Sequence, residues 1–200
     1  GSVVGMVGTT VTDPAGTSRD GYSVSITTFT NNGCNGDSAG TATALATGGT
    51  ASYAYSWDDP LLQSTATADS LAAGTYKVMV TDGTGCVDSA SVTITDPAVL
   101  VASISDSSDV NCMGDSSGYA TTTPTGGTGP YIYLWDDVNT QTDSVANGLP
   151  VGNYSVIVTD ANNCQVTVNT TVVEPALLSL STSTTEATCG SPNGTANVSA

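Results

Sequence analysis

The feature that most constrains this chain is a twelve-residue phrase that occurs twice, 78 residues apart. Leu71-Ala72-Ala73-Gly74-Thr75-Tyr76-Lys77-Val78-Met79-Val80-Thr81-Asp82 returns as Leu149-Pro150-Val151-Gly152-Asn153-Tyr154-Ser155-Val156-Ile157-Val158-Thr159-Asp160. In each copy a glycine, Gly74 or Gly152, permits a sharp turn. Tyr-x-Val-x-Val then alternates with the period of two that a half-buried strand requires. The register extends well beyond the phrase: Cys34–Pro97 laid on Cys112–Pro175 without gaps is identical at 28 of 64 positions. Stretches this alike are duplicates. The fold must therefore be one that about 78 residues can complete and then repeat.

No segment carries helical apolar spacing, and Gly, Thr, Ser and Val dominate, so the class is all-β. A Leu, a Gly and then a Tyr opening a strand look like the tyrosine corner of immunoglobulin-type sandwiches, its ring inward and its hydroxyl tied back to earlier backbone. Tyr76 and Tyr154 hold that position. The expected architecture is a tandem array of immunoglobulin-like β-sandwich repeats, arranged as an elongated rod. Within the first repeat, strands are predicted at Tyr22–Phe29, Gly40–Ala46, Tyr53–Trp57, Thr75–Thr81 and Asp88–Thr95, with a weaker one around Thr65–Leu71. Asn31-Asn32-Gly33, Asn35-Gly36-Asp37, Gly48-Gly49, Asp58-Asp59-Pro60 and Asp82-Gly83-Thr84-Gly85 supply the turns between them.

Asp13-Pro14, Asp96-Pro97 and Glu174-Pro175 recur in one phase, and because proline cannot continue a ladder each reads as a joint. Residues 1–14 are thus expected to be the last strand of a preceding repeat. Repeat one is 15–97, repeat two is 98–175, and 176–200 begin an incomplete third repeat. The third opens with Cys189-Gly190-Ser191-Pro192-Asn193-Gly194-Thr195-Ala196, echoing Cys34…Gly40-Thr41-Ala42. Open ends of this kind are expected of an excerpt. The alternative is strand exchange, in which residues 1–14 complete a neighbour's third repeat and the chains assemble into a filament.

Eighteen acidic residues face only Arg19 and Lys77, a formal charge of −16. A nucleic-acid binder is excluded, since nothing could neutralise phosphates, and simple electrostatic adhesion to an anionic membrane is disfavoured. A solvated, self-repelling surface follows. No apolar run approaches a membrane span, and no signal peptide opens these residues. Hydrophobic residues are 38% of the chain, many of them alanine, so each core is thin and gains from a covalent aid.

Cysteines are placed to supply one. Cys34 and Cys86 are 52 apart, as are Cys112 and Cys164. In a histidine-free, acidic chain this regularity reads as disulfides in an oxidising compartment, and the paired short spacings of a zinc site are missing. Two pairings stand open. Cys34–Cys86 with Cys112–Cys164 would close each repeat, but the two turns lie at opposite poles of an immunoglobulin-like sandwich. A staggered Cys34–Cys164 bond would instead staple one repeat to the next. Either choice leaves Cys189 over.

The alternating Tyr53, Tyr55 and Trp57, with twins Tyr131, Tyr133 and Trp135, suit either a sugar-binding platform or a core strand, and Trp57 and Trp135 are expected in the core. Asp58, Asp59, Asp136 and Asp137 end that strand, and Asp82, Asp96 and Asp160 lie in other turns or joints. Clustered carboxylates of this kind are candidates for Ca²⁺, although EF-hand spacing is absent. With no histidine, nucleophile elbow or phosphate loop, no enzyme is expected.

The composite Cys-x-Gly-Asp-Ser-x-Gly-x-Ala, Gly-Gly-Thr-x-x-Tyr-x-Tyr-x-Trp-Asp, Leu-x-x-Gly-x-Tyr-x-Val-x-Val-Thr-Asp and Cys resembles the SprB repeat, over Cys34–Cys86 and Cys112–Cys164. The Tyr-x-Trp-Asp strand and the Gly-x-Tyr strand also look like PKD-type sandwiches. In the third copy Ser191-Pro192-Asn193 replaces Gly-Asp-Ser. The resemblance implies the stalk of a long filamentous adhesin of gliding Bacteroidota, exported by type IX secretion to the outer surface of a Gram-negative cell. Its implied partners are neighbouring repeats, and a surface polysaccharide or substratum reached through other parts of the protein. Asp-Ser-apolar triplets at Ser38, Ser70, Ser89 and Ser144 resemble the O-glycosylation signal of that phylum. A glycan- and Ca²⁺-binding extracellular module is the alternative function.

Overall fold

The computed structural model describes residues 21–199. The strand expected in residues 1–14, and with it the donor of a strand exchange, lies outside them. By its contacts the chain forms two compact units. Of the described residues, the first takes those up to Val101 together with Pro124–Ile132 and Val158–Val166; the second takes Ala102–Thr123, Tyr133–Ile157 and those from Thr167 onward.

In the first repeat the strands are β1 (Ser23–Thr30), β2 (Gly40–Thr47), β3 (Ala54–Trp57), β4 (Thr67–Leu71), β5 (Gly74–Thr81) and β6 (Val87–Ile94). They form two antiparallel sheets, β1-β2-β4 and β3-β5-β6. This is the partition of an immunoglobulin constant-type sandwich, ABED on CFG, with strand D left out. Each expected strand is present within about two residues of its predicted ends, which is the usual boundary uncertainty. Between β3 and β4, where D would run, the chain makes a short turn instead.

Alternation explains which face goes inward. Along β2, Ala42, Ala44 and Ala46 are buried while Thr41 and Thr43 are half-buried and Leu45 and Thr47 exposed. Along β5, Tyr76, Val78 and Val80 are buried between exposed Thr75, Lys77 and Met79. The two faces meet in one cluster with Tyr22, Val24, Trp57, Ala68, Leu71, Val92 and Ile94. Alanines on one sheet leave room for the Trp57 ring from the other, so volume is conserved across the core. Burying Val78 and Val80 completely stabilises the fold by about 1.5–3 kcal/mol each.

Close packing also dictates one glycine. A Cβ on Gly40 would sit 2.6 Å from Ile94 Cγ2 and 2.7 Å from the Leu71 carbonyl oxygen, so no larger residue fits without displacing backbone. Its twin Gly118 meets Leu149 O and Val172 Cγ1 at 2.7 Å each.

The second repeat has the same elements in the same order: β7 (Val101–Ser108), β8 (Gly118–Thr125), β9 (Ile132–Trp135), β10 (Val145–Leu149), β11 (Gly152–Thr159) and β12 (Gln165–Val172). Their sheets are β7-β8-β10 and β9-β11-β12. Ala120, Trp135, Ala146, Leu149, Val156 and Val172 are buried, as their twins are in the first repeat. The third copy contributes β13 (Ser181–Thr185) and β14 (Thr195–Ser199), an antiparallel pair with every residue exposed. Its Thr185–Thr195 hydroxyl contact, 2.7 Å, reproduces the Thr30–Thr41 contact of 2.8 Å in the β1–β2 ladder.

Candidate functional site

The chemistry of this chain is concentrated in its turns. Foremost is a disulfide between Cys34, in the turn after β1, and Cys164, in the turn before β12. Both belong to the first compact unit, with Cα atoms 5.7 Å apart. Of the two pairings the sequence left open, this is the staggered one. Pairing within repeats is not made: Cys86 is a free, buried thiol and Cys112 a free, exposed one, as is Cys189. Strand topology accounts for it, since the turn after β1 and the turn before β6 lie at opposite ends of strands about 20 Å long. Beside the disulfide, the Asn162 side-chain amide donates to the Gly33 carbonyl at 2.8 Å and to the Thr128 hydroxyl at 3.1 Å.

The loop that carries Cys164 is shaped by a carboxylate. Asp160, buried, accepts the backbone N–H groups of Asn162 at 2.8 Å, Cys164 at 2.9 Å and Thr128 at 2.8 Å. Its twin Asp82 accepts those of Thr50, Thr84 and Cys86, and also the Thr84 hydroxyl, at 2.8–3.0 Å. The Thr50 backbone N–H is the main reason why Asp82 is held well below the usual carboxylate range; burial opposes it, and the Thr84 and Cys86 donors add to it. For Asp160 burial alone would raise the carboxyl, but the Thr128, Cys164 and Asn162 N–H groups outweigh it and the net direction is downward.

Asp59 and Asp137, two of the Ca²⁺ candidates, are caged in the same manner. Asp59 accepts Leu61 N–H and Gln63 N–H at 2.9 Å and the Gln63 side-chain amide at 3.1 Å. Asp137 accepts Asn139 N–H, Gln141 N–H and the Gln141 amide at 2.9–3.1 Å. Burial pushes both carboxyls up, yet the Gln63 and Gln141 donors prevail and both end lower. The other two candidates cap strands: Asp58 accepts Lys77 N–H at 2.7 Å, and Asp136 accepts Ser155 N–H and hydroxyl at 2.8 Å. Ca²⁺ needs six to eight oxygen ligands, whereas these oxygens already face N–H dipoles that would repel a cation. Among the described residues no three metal-binding side chains gather. Asp58, Asp59, Asp136 and Asp137, the four Ca²⁺ candidates, are thus each engaged by donors of the protein itself.

These cages carry a pH consequence. Unfolding returns Asp82 to its ordinary value near 3.8, so between that value and its lower folded one the unfolded chain binds more protons. The stability it contributes is therefore full above about pH 4 and lost as pH falls below it. Asp82→Asn, whose amide NH₂ must face donors, is expected to lower the urea midpoint at pH 7 and to shrink the further loss between about pH 4 and pH 2. An equal acid loss in the variant and the wild type would refute the assignment.

The tryptophans of the aromatic strip lie in the core, and its tyrosines are half-buried. Trp57 and Trp135 are each 1% exposed, their indole N–H groups donating to the Thr65 and Asp143 carbonyls at 3.0 Å. Tyr53 and Tyr55 pack against the cluster, and the Tyr53 ring stacks on Tyr22 with centroids 6.2 Å apart. Tyr76 and Tyr154 tie back four residues, to the Ala72 and Pro150 carbonyls at 3.0 and 2.9 Å.

The four serine candidates differ in setting. Ser38 and Ser70 are exposed, whereas Ser89 and Ser144 are half-buried on or beside strands. Ser70 has φ +56° where its twin Gly148 has +68°, at a register shift in the ladder that recurs in both repeats. A side chain there is presented on a bulge.

What the sequence reading missed is that Asp82 and Asp160 organise the cysteine loops. The signal was present as Asp-x-x-x-Cys in both repeats, with a Gly-Gly-Thr turn upstream supplying the Thr50 or Thr128 donor.

Comparison with known families agrees with the internal register. The family model described as SprB repeat matches residues 26–62 and 104–140, the same portion of each repeat from its first strand through the Asp59 or Asp137 turn. A search of curated proteins finds no match to the chain.

Proposed function

We propose that this chain, which carries two SprB repeats, is a structural stalk segment of a long filamentous cell-surface adhesin, acting in gliding motility and surface attachment. The observation that carries the reading is the Cys34–Cys164 bond, which ties a turn of one repeat to a turn of the next. A covalent tie across a repeat boundary serves resistance to extension; it does nothing for catalysis. The inward use of the carboxylates and aromatics points the same way, because groups engaged within the fold are withdrawn from ligands. A net charge of −16 discourages clumping of such chains.

On this reading the chain's partners are its neighbouring repeats, and contact with polysaccharide or substratum belongs to other parts of the parent protein. It sits outside the outer membrane of a Gram-negative bacterium, delivered by type IX secretion, with Ser38 and Ser70 the serines best exposed for O-glycosylation. Among the described residues no helix is long and apolar enough to cross a membrane. The test is on living cells, labelled with a fluorescent antibody to residues 21–175. Label that travels along the cell body during gliding is the expected result. Label that stays fixed, or is shed to the medium, would remove the motility assignment.

A further inference from the structure

We propose that the Cys112 turn is a docking and disulfide site for a further repeat of this kind, entered by that repeat's Asp-x-x-x-Cys loop. The inference starts from phase. Cys34 and Cys112 occupy one position of the 78-residue repeat, and Cys86 and Cys164 occupy another. The observed bond spans 130 residues, which is the 52 within a repeat plus one full period of 78. Each repeat therefore carries one cysteine at the position that bonds forward in Cys34 and one at the position that bonds backward in Cys164.

The occupied turn and the open one are built alike. In the first, Asp37 N–H donates to the Cys34 carbonyl at 3.3 Å and Gly36 N–H to the Asp96 carboxylate at 2.8 Å. In the second, Asp115 N–H donates to the Cys112 carbonyl at 3.1 Å and Gly114 N–H to the Glu174 carboxylate at 3.3 Å. Gly36 and Gly114 share the left-handed conformation, φ +84° and +77°. Both turns are pinned to the end of the last strand, through Asn32 N–H to the Thr95 carbonyl at 3.1 Å and Val110 N–H to the Val173 carbonyl at 3.2 Å. The Cys112 thiol is exposed. The same turn that holds a disulfide in one repeat thus stands preformed in the next.

Both residues beside it change. Asn35 becomes Met113, whose side chain is exposed, and Gly33 becomes Asn111, but the incoming asparagine of the loop bonds a backbone carbonyl, which every residue has. A Cβ at Gly33 would lie 3.8 Å from Asn162 Cβ, an ordinary contact. The loop that enters is also rigid before the bond forms, since Asp82 holds the Cys86 N–H just as Asp160 holds that of Cys164, at 2.9 Å. Chemically, one Sγ–Sγ bond forms and both thiol protons leave. The two electrons pass to a small disulfide such as oxidised glutathione, whose own S–S bond breaks to give two thiols. None of this depends on the chain's being an adhesin stalk; it depends on the repeat phase and on one observed bond.

The test inserts residues 98–175 a second time, after Pro175 of the full chain, and refolds the product from the reduced state in a glutathione buffer. Peptide mapping without reduction is expected to show Cys34–Cys164 retained and Cys112 joined to the Cys164 of the inserted copy. Alkylation should then count three free thiols, as in the parent chain, although two cysteines have been added. Changing Cys164→Ser in the inserted copy alone should return Cys112 to the alkylated pool. Cys112 recovered as a free thiol from the first product, joined to Cys164 of its own repeat, or scrambled among several partners would overturn the proposal.

Discussion

Trp57→Ala is expected to unfold the first repeat. The ring is 1% exposed and fills the space left by a sheet of alanines. Truncating a buried Trp costs about 3–5 kcal/mol. Losing the indole N–H strands the Thr65 carbonyl, which adds about 1–3 kcal/mol where that oxygen stays buried. The sum is comparable to the whole stability of a small domain, about 5–15 kcal/mol. Urea unfolding followed by near-UV circular dichroism measures it directly. The Trp135 signal of the second repeat should persist, so the spectrum is expected to fall to about half and not to zero, in proportion to the two tryptophans. A variant that loses less than about 1 kcal/mol would show that the ring is not part of the core. A variant that folds but no longer binds glycan would defeat the stalk as a full account of function.

Cys34→Ser has the second-largest expected effect. The bond closes a span of 130 residues, and in the chain-entropy account a loop of that order is worth about 4–5 kcal/mol. The wild-type urea midpoint should drop on adding reductant to the value of the variant, while the variant should ignore the reductant. Both should lose the same species in a thermolysin digest, a fragment joined across the repeat boundary that separates only on reduction. Equal midpoints with and without reductant would mean that the staple is dispensable, and the stalk reading would lose its chief support.

Much of this molecule was legible in the sequence because its signals are local. Alternation in Gly40–Thr47 and Gly74–Thr81 specifies strands and which side of each faces in, since side chains on a strand take turns by geometry alone. The 78-residue register transfers each assignment to its twin. The tyrosine corner is equally local, its hydroxyl reaching only four residues back. What resisted reading were the groups whose meaning depends on distant neighbours. Asp59 and Asp58 look alike in the chain. Yet one is buried beneath the donors of its own turn, two and four residues on, while the other caps the neighbouring strand β5, nineteen residues away, and only the second outcome lies beyond local spacing.

The cysteines mark the boundary most sharply. The residues determined that they recur, that they come in two phases, and that a disulfide in either phase is chemically reasonable. Their separations, 52 within a repeat and 130 across two, are both spans that a flexible chain can close. Only the tertiary structure decided between them. Strand order sends the Cys34 turn and the Cys86 turn to opposite ends of one sandwich, while the next repeat brings Cys164 to within 5.7 Å of Cys34, Cα to Cα. A disulfide forms where two backbones already meet, and the meeting place of backbones is set by packing, not by the order of residues along the chain.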